Sequence, residues 1–130
     1  MDLSRIVKAY DVRGVVPDQL DEAVARALGA AFVDVIGAGR IVTAHDMRQS
    51  GPALATAFAH GAASRGATVV QAGLASTDML YFASGHLDLP GAMFTASHNP
   101  ARYNGIKLCR SGAVAIGHDT GLDEIRNRAQ

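Results

Sequence analysis

Tryptophan is absent from the sequence, cysteine occurs once, at Cys109, and proline only four times. A single cysteine excludes an intramolecular disulfide and fits a reducing compartment. Set within an apolar run, Cys109 reads as a small buried hydrophobe rather than a nucleophile. Neither sign of charge is in excess: twelve Lys and Arg balance twelve Asp and Glu, so the formal net charge is zero. That balance offers no broad basic surface to nucleic acid or to an anionic membrane, and any bound anion must be held by a local arrangement of cations. No stretch reaches the ~20 apolar residues of a membrane span. The start, Met1-Asp2-Leu3-Ser4-Arg5, lacks the basic residues and apolar run of a signal peptide. Together these features predict a soluble cytoplasmic domain with no nucleic-acid or membrane partner. HExxH, CxxC and Walker-type lysine motifs are also missing, and Gly37-Ala38-Gly39 lacks the third glycine of a dinucleotide fingerprint. His60, His86 and His118 show no ligand spacing with one another.

What is present is a sequence of 130 residues, 48% of them hydrophobic, enough to close one core without a metal or disulfide. Leu20, Val24, Leu28, Ala31 and Val35 recur at helical spacing between a possible Asp18 cap and Gly37. Ile41–Ala44 reads as a buried strand. A second helix follows, with Ser50 as its expected cap, Pro52 in its first turn, Leu54, Phe58 and Ala62 on its buried face, and a stop near Gly66. Thr68–Ala72 is the next strand. Ser76 or Thr77 then caps a third helix to about Ser84, burying Leu80 and one of Tyr81 and Phe82. Ala92–Thr95 is a further strand, and Ile106–Cys109 with Ala113–Ile116 resembles a hairpin. A last helix begins near Gly121. This alternation predicts an α/β fold, a three-layer αβα sandwich whose mostly parallel sheet is made mixed by the late hairpin. Ligands of such sheets sit beyond the carboxyl ends of the strands, which the Ala44–Arg48 turn and the Ser97 loop both leave.

Three segments carry candidate chemistry. Thr95-Ala96-Ser97-His98-Asn99-Pro100 ends the apolar run Ala92-Met93-Phe94 and is followed by Asn104-Gly105-Ile106-Lys107. It reads as a polar turn that gathers a hydroxyl, an imidazole, a carboxamide and an ammonium. A serine is a weak nucleophile until a base, a cation or positioning helps it. Phosphorylated, it gains about −1.5 to −2 charges and needs donors, for which His98, Asn99, Arg102, Lys107 and the loop N–H groups are at hand. The pattern suits covalent phosphoryl chemistry, although Ser97 could instead only stabilise a turn before Pro100. Tyr10-Asp11-Val12-Arg13-Gly14 could aim the donor fork of Arg13 at a phosphate, or be a loop in which Asp11 and Arg13 are solvated. His45–Pro52 occupies a strand-to-helix turn suited to anions, or one that serves structure, with Asp46 pairing to Arg48.

Taken together, these segments resemble the first domain of the α-D-phosphohexomutase superfamily, in its phosphomannomutase/phosphoglucomutase branch. Thr95–Pro100 is similar to that family's phosphoserine loop, Asn104–Lys107 to its lysine segment, Tyr10–Gly14 to its N-terminal Tyr-Asp-x-Arg-Gly element, and Asp46–Pro52 to its Asp-x-Arg-x-Ser-Gly-Pro turn. The resemblance implies a sheet of about four core strands, the last antiparallel. It implies that Ser97 carries a phosphoryl group, that Mg²⁺ binds one oxygen of that phosphate, and that hexose 1- and 6-phosphates interconvert through a bound hexose 1,6-bisphosphate. Lys107, His98 and Arg13 would then act in catalysis, and Tyr10, Asn99 and Arg48 would bind substrate or its phosphate. The family often has arginine where His45 stands, its members have four domains, and no Asp-x-Asp-x-Asp metal segment occurs here. Residues 1–130 are therefore expected to be domain I, shortened near its last helix, with domains II–IV lying outside it. Such a piece is expected to be inactive alone and open to self-association, and its partners to be hexose phosphates and the rest of the same polypeptide. A phosphoglucosamine mutase domain and a non-catalytic phosphate- or partner-binding domain are the alternatives.

Overall fold

A computed structural model describes every residue from 1 to 130. Helix starts show how local chemistry meets tertiary demand. In α1 (Glu22–Ile36) the Asp21 carboxylate accepts the Val24 N–H at 2.8 Å, and Gly37 closes the helix in the left-handed region. The cap is thus Asp21 rather than Asp18, because the chain stays in a turn through Leu20. Before α2 (Gly51–Ser64), Ser50 makes no capping bond; its hydroxyl instead accepts from Asn104 Nδ2 at 2.8 Å. In α3 (Thr77–Leu87) the Ser76 hydroxyl accepts the Met79 N–H, and the helix runs three residues past the expected Ser84. Asp21→Ala is expected to cost about 1 kcal/mol in urea unfolding and Asp18→Ala almost nothing. Equal losses would put the cap elsewhere.

The sheet runs β1 (Val12–Val15), β5 (Tyr103–Arg110), β4 (Gly91–Phe94), β2 (Arg40–His45), β3 (Thr68–Leu74), with β6 (Val114–Ala115) paired to β5. β2 pairs in parallel with β3 and β4, while β5 is antiparallel to β4 and to β1. Three parallel strands and antiparallel β5 are the expected core. β1 is additional: the Tyr10–Gly14 segment enters the sheet as an edge strand. Asn104 and Gly105 also depart from the expected turn, since both lie inside β5. A Cβ on Gly105 would overlap the Val12 carbonyl oxygen and stand 2.8 Å from that of Thr95, so only glycine fits between β1 and the Thr95 backbone.

One face of the sheet is thickly covered. There α1, α2 and α4 (Leu122–Ala129) bury the main core, in which Phe58 meets Phe32 at 5.9 Å and, edge-on, Phe94 at 5.4 Å. α3 alone covers the other face, over a small cluster of Val42, Ala44, Leu80, Leu89, Met93 and Cys109. Leu80 is buried, Tyr81 half-buried and Phe82 exposed, which decides between the two aromatics. No helix is long and apolar enough to cross a membrane. Parallel β2 and β4 end side by side at His45 and Phe94, and the Asp46 N–H donates to the Phe94 carbonyl at 3.0 Å. Two loops therefore leave the same edge of the sheet together.

Candidate active site

Thr95 and Ala96 are still buried as the chain leaves β4; Ser97 and His98 are exposed. Ser97 takes φ 54°, a left-handed backbone that a non-glycine residue adopts at a cost on the order of 1 kcal/mol. Several hydrogen bonds hold it there. Its N–H donates to Thr95 Oγ1 at 3.1 Å, the Thr95 hydroxyl donates to Asp46 Oδ2 at 2.7 Å, and the Asn99 N–H donates to the Ala96 carbonyl at 3.0 Å.

Arg48 lies beneath this loop with only 7% of its side chain exposed. Nη1 donates to the carbonyls of Pro100 and Tyr103 at 2.8 and 2.9 Å, and Nη2 to those of Ser97 and Asn99 at 3.0 and 2.8 Å. Nε has no hydrogen-bond partner and faces Asp46 Oδ2 at 3.6 Å. All four Nη protons are engaged by backbone. With Nε buried against Asp46, this arrangement leaves no exposed guanidinium donor for the phosphate-binding role expected of Arg48.

Across the loop, β1 and β5 present two cations. Arg13 and Lys107 sit on one face, since Arg13 registers with Gly105 and Lys107 is two residues further along β5. Asp11 lies between them: Arg13 Nη2 contacts its Oδ2 at 2.6 Å and Lys107 Nζ stands 3.6 Å from the same oxygen. Arg13 Nη1 donates to Asn99 Oδ1 at 2.8 Å, which ties β1 to the serine loop. About a quarter of each cation's side chain remains exposed (25% and 28%), so a charge can approach both. Sequence reasoning left Asp11 out of the site. The available signal was its spacing from Arg13, which in a strand puts both side chains on one face.

The remaining candidates stand apart from this network. Tyr10 is 77% exposed and its ring lies against Gly117. His45 Nδ1 lies 3.0 Å from the Asp46 carbonyl oxygen. Burial pushes the Cys109 thiol above its ordinary pKa, which makes it a poor nucleophile. A cleft of ≈ 430 Å³ opens beside Ser97, bounded by Met47, Arg48, Gln49, Asn99 and Ala101. A larger hollow of ≈ 570 Å³ near Arg40 and Arg110 touches none of these residues, so size alone does not mark the site. No group of three or more His, Cys, Asp or Glu side chains comes together to hold a metal ion. Even phosphorylated, Ser97 would be one ligand, and the residues of this chain do not by themselves fit a magnesium site.

An exposed hydroxyl on a hydrogen-bonded turn, with two cations across the loop, can take up and pass on an anionic group. Known proteins resemble this chain. A "Phosphohexose mutases" protein of Xanthomonas campestris pv. campestris is 46% identical over 121 residues, which are 92% of this chain and 27% of that protein. A phosphomannomutase of Klebsiella pneumoniae is 41% identical over 124 residues, covering 95% of this chain and 79% of that one. The crystal structure of a phosphoglucomutase/phosphomannomutase family protein from Burkholderia thailandensis superposes with a TM-score of 0.90 at 38% identity, over 99% of this chain and 30% of that one. The chain thus spans well under a third of the length of its Xanthomonas relative. The family profile described as phosphoglucomutase/phosphomannomutase, alpha/beta/alpha domain I, matches residues 4–130. With the profile spanning residues 4–130 and the fold in agreement, the chain belongs to the phosphoglucomutase/phosphomannomutase family, whose domain I it matches.

Proposed function

We propose that this chain is the phosphoserine-bearing first domain of a hexose-phosphate mutase acting on mannose or glucose phosphates. The observation that carries the proposal is the placement of Ser97. It stands exposed at φ 54° beyond the carboxyl end of β4, in a loop tied to Arg13 through Asn99. The names of the relatives support the same activity for the longer protein. In this reading the phosphoryl group on Ser97 passes to a free hydroxyl of a hexose 1- or 6-phosphate. The P–O bond to Ser97 breaks, a P–O bond to the sugar forms, and the hydroxyl proton leaves to a base. The product is a hexose 1,6-bisphosphate. Return of its other phosphoryl group to Ser97 completes the isomerisation.

Catalysis of this kind is mostly positioning and charge neutralisation. Arg13 and Lys107, kept in place by Asp11, would neutralise the transferring group, and exposed His98 is available for the proton. Tyr10 would meet the sugar at the rim. Mg²⁺ would draw its other ligands from beyond residues 1–130, as would the grip on the distal phosphate, so the piece alone should not turn over. A buried, unpaired cysteine fits work in the cytoplasm.

Mass spectrometry of peptides from the full-length protein, after incubation with glucose or mannose 1,6-bisphosphate, tests the carrier. Phosphate on Ser97 is the expected result. Mutase turnover with Ser97 unmodified would end the proposal.

A further inference from the structure

We infer that Arg48 is a positioning residue for the reacting serine: its guanidinium is the internal template around which the loop from Ser97 to Tyr103 is folded. This rests on the reading of Ser97 as the phosphoryl carrier. Four carbonyls from four residues, Ser97, Asn99, Pro100 and Tyr103, turn inward to one planar fork. Such convergence is unusual in kind, because a loop ordinarily turns its carbonyls to water. Here they would repel one another if the cation were removed, since four carbonyl dipoles point their negative ends at one place. Bonds from a charged donor are also the stronger sort.

The loop carries a left-handed serine that would otherwise relax toward the common backbone regions. Arg48 binds the carbonyl of that serine directly, and Asp46 reaches its N–H by way of the Thr95 hydroxyl. Both peptide groups flanking the Ser97 side chain are therefore held from one strand-to-helix turn. The ion pair between Asp46 Oδ2 and Arg48 Nε, at 3.6 Å, joins the two anchors. Asp46 in turn fixes Arg48 by accepting its backbone N–H at 3.1 Å. Arg48 acts in this reading through the carrier's backbone rather than on the ligand, which separates it from Arg13 and Lys107.

The geometry distinguishes a template from a mere positive charge. Lysine would keep the charge but has three donors on a tetrahedral head, and cannot reproduce a planar fork with four Nη protons. Hydrogen exchange of the 130-residue chain, read residue by residue by NMR, gives the first test. In Arg48→Lys, the amides of Asn99 and Tyr103, which donate inside the loop to Ala96 and Pro100, should lose protection by about tenfold or more. The amides of β4 should stay unchanged. In Arg48→Ala, added ethylguanidinium should restore loop protection and ethylammonium should not. Full loop protection in Arg48→Lys, or equal rescue by the two cations, overturns the template.

The second test is the rate of phosphate incorporation at Ser97 in the full-length protein. Arg48→Lys should slow it by about tenfold or more relative to the unsubstituted protein. An unchanged rate overturns the positioning role even if the exchange results hold. Should the unsubstituted protein itself take up no phosphate, the carrier reading fails, and the exchange results then decide the loop architecture alone.

Discussion

Replacing Gly61 by alanine is expected to destabilise the fold by about 3 kcal/mol or more, although alanine is the better helix former. A Cβ at Gly61 would overlap the carbonyl oxygen of Arg26 on α1 and stand 2.8 Å from its carbonyl carbon. Gly29 answers from α1, where a Cβ would overlap the Phe58 carbonyl oxygen of α2. Each helix thus rests its backbone on a bare turn of the other. Backbone cannot swing aside as a side chain can, so the added methyl must push the helices apart. That movement reaches Phe32 and Phe58, which pack immediately alongside. Gly85 supplies the control. It lies in α3 with nothing within 4 Å of an added Cβ, and its backbone is not left-handed. Gly85→Ala should therefore stabilise by about 0.5–1 kcal/mol. Urea midpoints moving in opposite directions at constant m would establish the contrast. Similar midpoints for the two variants would mean that α1 and α2 are not in backbone contact.

Substituting Asp11 by alanine in the full-length protein should lower turnover roughly 100-fold, mostly in kcat. Without its carboxylate, Arg13 loses a 2.6 Å contact and Lys107 its only ion pair. The two cations then repel each other, and their free ends turn to solvent. Asn99 loses the orientation it receives from Arg13. Folding should suffer far less, by about 1 kcal/mol, because both cations remain partly hydrated. Asp11→Asn keeps the shape and one acceptor while removing the charge, so it should fall between the wild type and alanine. Wild-type turnover in Asp11→Ala would show that Arg13 and Lys107 hold their places without it.

The three-layer architecture was legible because hydrophobic periodicity is a local property. Leu28, Phe58 and Leu80 recur with the faces they bury, and Ile41–Ala44 and Ala92–Phe94 are short apolar runs of strand length. What escaped depends on contacts between distant segments. Ser50 looks like a cap by composition, yet Asn104 claims its hydroxyl from 54 residues away. Asn-Gly in isolation signals a turn; here two neighbouring backbones demand a residue without a Cβ at Gly105. Candidate site residues on one short motif, Ser97 through Asn99, could be nominated from their chemistry alone. The pairing of Asp11 with Lys107 and the backbone contacts of Arg48 were hidden because the partners lie far along the chain, Lys107 on β5 in one case and carbonyls 49 to 55 positions on in the other.

The unequal covering of the sheet bears on how disturbance would travel. α3 buries only Leu80 and Ser84, whereas α1 alone buries seven residues against the other side. Regions with few buried contacts open most readily, so water entering the molecule has its easiest path beneath α3. That path leads to Met93, and Met93 is followed by Phe94 and then by the serine loop. A loosened α3 would be felt at Ser97 through a single strand of the sheet, while a fluctuation on the α1 side reaches that strand only by disturbing three tightly packed phenylalanines. The Ser97 loop thus hangs on a strand that is thinly covered on one face and held by the phenylalanine cluster on the other.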